Sequence, residues 1–205
     1  NLRTERGIVL DRETVRTRIA DLSARMRSAG PREALARIIA GEVATYTLLD
    51  LLRIRVTLEH ELRYVPASYR ARLQPLILEH FFFMHHTIMT GYHAERFDRY
   101  TGPVEGKIGE FCDLLLKVPD MDENWDPRFT LLYYLIAAFA LFVCGLPGHP
   151  VGTPFPGGFL VEMRDGVYYC PVREREDDVE TSICPFCPAE QSRLPGDEAL
   201  GEADG

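Results

Sequence analysis

Apolar positions in the first half of the chain recur at helical spacing. From Asp11, the residues Val15, Ile19, Leu22 and Met26 are separated by arginine-rich polar stretches, and Gly30 supplies a stop. This spacing predicts an amphipathic helix. Pro31 suits the first turn of a second helix, whose stripe Leu35, Ile38, Ile39, Val43, Tyr46 and Leu49 is expected to continue toward Leu58. Glu42 falls on that stripe. After Pro66 the pattern resumes through Leu73, Leu76, Ile77, Phe81 and Ile88 to about Phe97, and Pro75 is expected to start or kink this helix because it lacks an amide donor. A shorter helix is expected over Val104 to Val118.

The pattern then changes. Residues Phe129 to Leu146 hold eighteen positions without a charge. Such a helix is buried on all sides, and its length lies at the lower edge of a membrane span. Several amphipathic helices precede it and need a central partner, and Tyr133 and Tyr134 interrupt its apolar run, so it reads as the core helix of the fold. From Gly145 to Gly158 the chain is too rich in Pro and Gly for regular structure. Two short β-prone runs, Phe159–Met163 and Val167–Val172, flank Asp165-Gly166, a strong hairpin signal. An acidic loop follows, and from Arg193 the sequence is rich in Gly and acid.

These elements predict a mainly α protein. About five helices form a bundle around the buried apolar helix, with a small C-terminal β-hairpin module that binds metal. The expected division is 1–144 for the bundle, 145–191 for the module and 192–205 for a disordered acidic tail. A chain of 205 residues that is 46% hydrophobic has enough apolar surface for such a core.

Charge narrows the partners. The formal charge is -8, with 16 arginines against 12 acidic groups in residues 1–100 and 7 basic against 19 acidic groups in the remainder. An acidic module repels phosphate, which argues against nucleic acid and for a protein partner. No basic, apolar leader opens the sequence, so a cytoplasmic protein that does not enter a membrane is expected. Oligomeric state is left open.

Five cysteines without such a leader suggest metal ligands or core thiols and not a disulfide framework. Cys184-Pro-Phe-Cys187 places two sulfurs on one side of a tight turn, a spacing that fits two corners of a tetrahedral zinc site. Amides two and three residues past Cys184 are expected to point at its sulfur. The hairpin supplies Cys170, and His149, just before the hairpin, is the natural fourth ligand, with Cys144 as the alternative. Zinc is the expected ion; an iron–sulfur cluster is the competing reading and would recruit Cys144 in place of His149. A glutaredoxin-like use of the Cys-x-x-Cys pair is disfavoured, because only eighteen residues follow Cys187.

The histidine-bearing helix carries a second constellation. Glu79, His86 and His93 are spaced by seven, so they lie near one helical face with Phe82 and Met89. With Glu42 they suggest a catalytic carboxylate and histidine site inside a bundle, although the Glu-x-x-His signature of di-iron bundles is missing. The alternative is a polar network in which Glu42 pairs with a His or Arg. His60 and His85 read as surface or boundary residues. No Ser-His-Asp ordering, phosphate-binding glycine loop or His-Glu-x-x-His motif is present. Whether the chain is an enzyme is therefore open.

The run His149-Pro-Val-Gly-Thr-Pro-Phe-Pro-Gly-Gly158, then Tyr168-Tyr-Cys-Pro-Val172, then Cys184-Pro-Phe-Cys-Pro-Ala-Glu-Gln191 resembles an uncharacterised domain-of-unknown-function family of methanogenic archaea. The resemblance implies an archaeal cytoplasmic protein and adds weight to His149 as a site residue. It brings no activity with it. An anaerobic host strengthens the iron–sulfur alternative.

Overall fold

The computed structural model describes residues 12–121, 127–176 and 179–192. Among these residues, six α-helices and three short strands follow in order: α1 (Arg12–Arg27), α2 (Arg32–Val43), α3 (Leu48–Glu61), α4 (Ala67–Ala94), α5 (Ile108–Lys117), α6 (Pro127–Ala138), β1 (Glu162–Arg164), β2 (Val167–Cys170) and β3 (Glu190–Gln191). The expected tail from Arg193 onward lies outside the described residues.

The stripe of α1 does what its spacing demands: Val15, Ile19, Leu22 and Met26 are all buried. The expected long second helix is instead two. Thr47 breaks it, because its side chain accepts from the amide of Asp50 while the Asp50 carboxylate accepts from the Thr47 amide at 2.8 Å. This reciprocal cap satisfies donors that would otherwise be orphaned at a helix start, and it outweighs the continuing apolar pattern. Tyr46, at the break, is buried and donates its hydroxyl to the carbonyl of Arg128 at 2.8 Å.

Pro75 does not start α4, which begins after Pro66 and runs through it. The position is exposed, so the carbonyl freed by the missing amide can meet water. At the C-terminal end Glu95 takes a left-handed conformation and turns the chain, and Phe97 packs back on Gly91.

The uncharged helix is central, as expected. It runs as α6 and continues as a π-helical segment, Phe139–Cys144, before Gly145 ends it at φ 67°. By length and composition it could cross a membrane, but 67% of it is buried inside this fold. Its neighbours supply the cover: α1, α2, α4 and α5 all pack on α6. Phe111 of α5 meets Phe142 edge-on at 5.2 Å.

The expected hairpin is present, with Asp165 and Gly166 both at positive φ, as its tight turn requires. A third strand was not expected: β3 pairs parallel to β2, Tyr169 opposite Glu190 and Cys170 opposite Gln191. Val161, Cys170 and Ala189 form a small apolar cluster of their own. Phe186 ties this module to the bundle by packing on Phe111 at 5.1 Å.

Candidate metal centre

Three stretches of chain bring the expected ligands to one place. Cys170 ends β2, Cys184 opens the 3₁₀ turn Cys184–Phe186, and Cys187 closes it. His149 comes from the Pro/Gly loop after the apolar helix. All four line a single void of about 10 Å³, room for roughly one water-sized sphere. The β2–β3 pairing makes this possible, because it returns the chain after Cys187 to the strand that carries Cys170; the amide of Ser192 donates to the Cys170 carbonyl at 3.0 Å.

The turn's own amides do not serve the sulfurs as expected. Those of Phe186 and Cys187 donate to the carbonyls of Ile183 and Cys184 at 3.1 and 3.0 Å, since a 3₁₀ turn consumes them internally. Sulfur hydrogen bonds come from elsewhere: the Gly148 amide donates to Cys187 Sγ at 3.5 Å, and the Val172 amide to Cys170. Arg173 holds the turn from the side, its Nε donating to the Cys187 carbonyl at 3.3 Å and a guanidinium nitrogen to that of Pro185 at 3.4 Å.

Burial pushes the Cys170 and Cys184 thiols up, and neighbouring sulfurs add to this. A bound cation would reverse that balance by stabilising the thiolates. Burial, and then nearby His80, push the His149 imidazole down, toward the neutral form that ligates metal. Three thiols and one neutral imidazole are a donor set that zinc accepts. Among the described residues, no three His, Cys, Asp or Glu side chains already stand where they would hold an ion. Ligation therefore requires the side chains around the void to close inward.

Cys144 is not brought to this void. It lies at the end of the π-helical segment, with its Sγ 3.9 Å from the Tyr100 hydroxyl. The left-handed turn at Gly145 carries the chain away before His149 reaches the thiols.

The second constellation is not assembled. The buried stripe of α4 is Phe81, Met84, Ile88 and Gly91, which leaves Glu79, His86 and His93 exposed on the solvent side. A spacing of seven identified a face but not which way it points. Glu42 is instead paired with Arg18 at 2.7 Å, the polar-network alternative. His60 is exposed, and His85 is half-buried with its imidazole pushed down by burial.

Residues 31–192 match a family described as uncharacterised proteins conserved in archaea, DUF2115. The chain belongs to this family. A UPF0305 protein of Methanothermobacter thermautotrophicus is 32% identical over 80% of this chain and 97% of its own length. One of Methanopyrus kandleri is 43% identical over 43% of this chain and 62% of its own length, and one of Methanocaldococcus jannaschii 23% identical over 71% and 87%. No solved structure matches the chain. The DUF2115 segment includes His149 and all three cysteines of the void.

Sequence reading missed the residues that hold this site together. Arg173 and Gln191 sit in polar stretches that look solvated. Yet the Gln191 amide donates to the Pro171 carbonyl at 2.9 Å and accepts from the Glu174 amide at 3.0 Å, fixing the turn after Cys170. Only the unanticipated β2–β3 pairing brings it there.

Proposed function

We propose that this DUF2115 protein binds one structural zinc ion through Cys170, Cys184, Cys187 and His149, and that the ion orders an acidic C-terminal module that docks a protein partner. One observation supports the reading above the others: four ligand-type side chains from three separate stretches line one void. Four protein ligands close a tetrahedral shell and leave no position for water or substrate, so the role is structural. The placement of Cys144 against Tyr100 favours zinc with His149 over an iron–sulfur cluster held by four thiolates, which would need Cys144 within reach.

Elemental analysis of anaerobically purified protein tests this directly. One equivalent of zinc in a colourless protein, reduced by Cys184→Ser, is the expected result. A brown protein with iron and sulfide overturns the zinc assignment, and absence of any metal overturns the site. Affinity capture with and without bound zinc tests the docking role, and a partner retained equally by zinc-free protein would remove zinc from it.

A further inference from the structure

A second cavity, of about 410 Å³, opens between α3, α4, α6 and the loop through Phe155. Its volume lies in the range of small-molecule pockets, roughly 300–1,000 Å³. Leu58, Leu62, Leu73, Ile77, Phe129 and Phe155 make its walls mainly apolar. Most of these side chains are only partly buried, so the cavity leaves apolar surface exposed that an apolar occupant would cover.

Of the polar side chains on this lining, Tyr69, Tyr134, Thr57 and Thr153 donate their hydroxyls to the backbone carbonyls of Pro154, Thr181, Arg53 and Pro150, so these four are committed to holding the fold. Tyr133 and His149 are different. Both line the cavity, and, like Thr130, neither makes a hydrogen bond among the described residues; the His149 ring meets Phe155 edge-on at 5.5 Å and lies near His80. Tyr133 is 37% exposed, so its hydroxyl is open to the cavity mouth, and with the His149 imidazole it offers uncommitted hydrogen-bonding atoms to whatever enters.

Charge limits what that partner is. No lysine or arginine lines the cavity, and its one ionisable carboxylate is Glu61, which is exposed and 3.6 Å from the His60 ring. An anionic head would meet a carboxylate and no cation, and a cation placed at Tyr133 and His149 would be desolvated without a counter-charge. A neutral head meets neither penalty.

From this arrangement we propose that the cavity binds one neutral, chiefly apolar small molecule, whose single polar end hydrogen-bonds to Tyr133 and His149. His149 also lines the thiol void, so the two sites share a wall. An imidazole has a second nitrogen, so the ligand contact does not depend on whether His149 also holds a metal.

The test is a fluorescence titration of the full chain with N-phenyl-1-naphthylamine, a neutral apolar probe that brightens in dry surroundings. Saturable binding of one equivalent is expected. Displacement by 1-decanol should need at least about tenfold less competitor than displacement by decanoate at pH 7.5, because an unpaired charge is costly in an apolar site. Ile77→Trp and Leu58→Trp, which fill the cavity from different helices, should each abolish probe binding while leaving the helical circular dichroism intact. Tyr133→Phe should weaken decanol and spare the probe. Absence of saturable binding, or equal displacement by decanoate, overturns the proposal. So does binding retained in both tryptophan variants, which would move the probe to the exposed stripe Leu48, Leu52 and Val56 on α3. Zinc measured on the same samples keeps the two readings apart: zinc retained without probe binding removes only this cavity's ligand, and probe binding without zinc removes only the metal.

Discussion

The Arg18 guanidinium on α1 lies 2.7 Å from the Glu42 carboxylate on α2, which is only 10% exposed. The pair sits where α2's apolar stripe carries one acid, and it joins two helices that both pack on the central helix. Removing Glu42 takes away Arg18's charged partner, although the guanidinium keeps the Thr45 hydroxyl at 2.8 Å. Glu42→Ala should therefore cost about 1–3 kcal/mol of stability in urea unfolding. A change within about 0.5 kcal/mol is the scale of surface substitutions and would show that the pair contributes nothing.

Asp50 gives a pH dependence with a defined sign. Burial pushes its carboxyl up, but hydrogen bonds from the Thr47 amide and hydroxyl, with Arg128 at 3.8 Å, outweigh this and hold it below the ordinary value. A folded value below the unfolded one contributes stability that is present above the unfolded pKa, about 4, and is lost as pH falls through the folded value. Asp50→Asn should thus cost about 0.5–2 kcal/mol at pH 7, the usual worth of a helix cap. The gap to the parent protein should narrow below about pH 4. A gap that stays constant down to pH 2 would show that the carboxylate's charge is not what caps α3.

At Gly91 a Cβ would meet the Phe97 ring at 2.5 Å, and that ring is fully buried. Overpacking of this kind costs about 1–3 kcal/mol, more than the ~1 kcal/mol that alanine gains over glycine in a helix. Gly91→Ala should lower the melting temperature, and Phe97→Leu in the same chain should recover part of the loss. Greater stability in Gly91→Ala would show that the ring gives way freely.

Removal of the proposed zinc should act locally. The module around the void has a small apolar cluster and much loop, and a structural zinc site contributes on the order of 10 kcal/mol to the folding of such a segment. Chelation or Cys187→Ser should raise hydrogen exchange across residues 149–176 and 179–191 while α1, α2 and α6 stay protected. Uniform exchange before and after zinc loss would mean that the module orders itself without the ion. X-ray absorption showing three protein ligands and an oxygen would replace the proposed structural role with a catalytic one.

Local chemistry made much of this protein legible from its sequence. A stripe such as Val15, Ile19, Leu22 and Met26 specifies both a helix and its buried side, because apolar side chains at that spacing have one way to leave water. Asp165-Gly166 specified the hairpin, because few residue pairs take positive φ twice in succession. The uncharged run specified the central helix, and the cysteine and histidine types specified a candidate ligand set. Tertiary structure alone decided the rest. Glu79, His86 and His93 share a face at a spacing of seven whether that face is inside or outside, and only the packing of Phe81, Met84 and Ile88 turned it to solvent. Glu42 lay on an apolar stripe, but its partner Arg18 is distant in sequence. The void at the cysteines depends on Gln191 returning beside Cys170, a pairing between backbone groups that carries no side-chain signature.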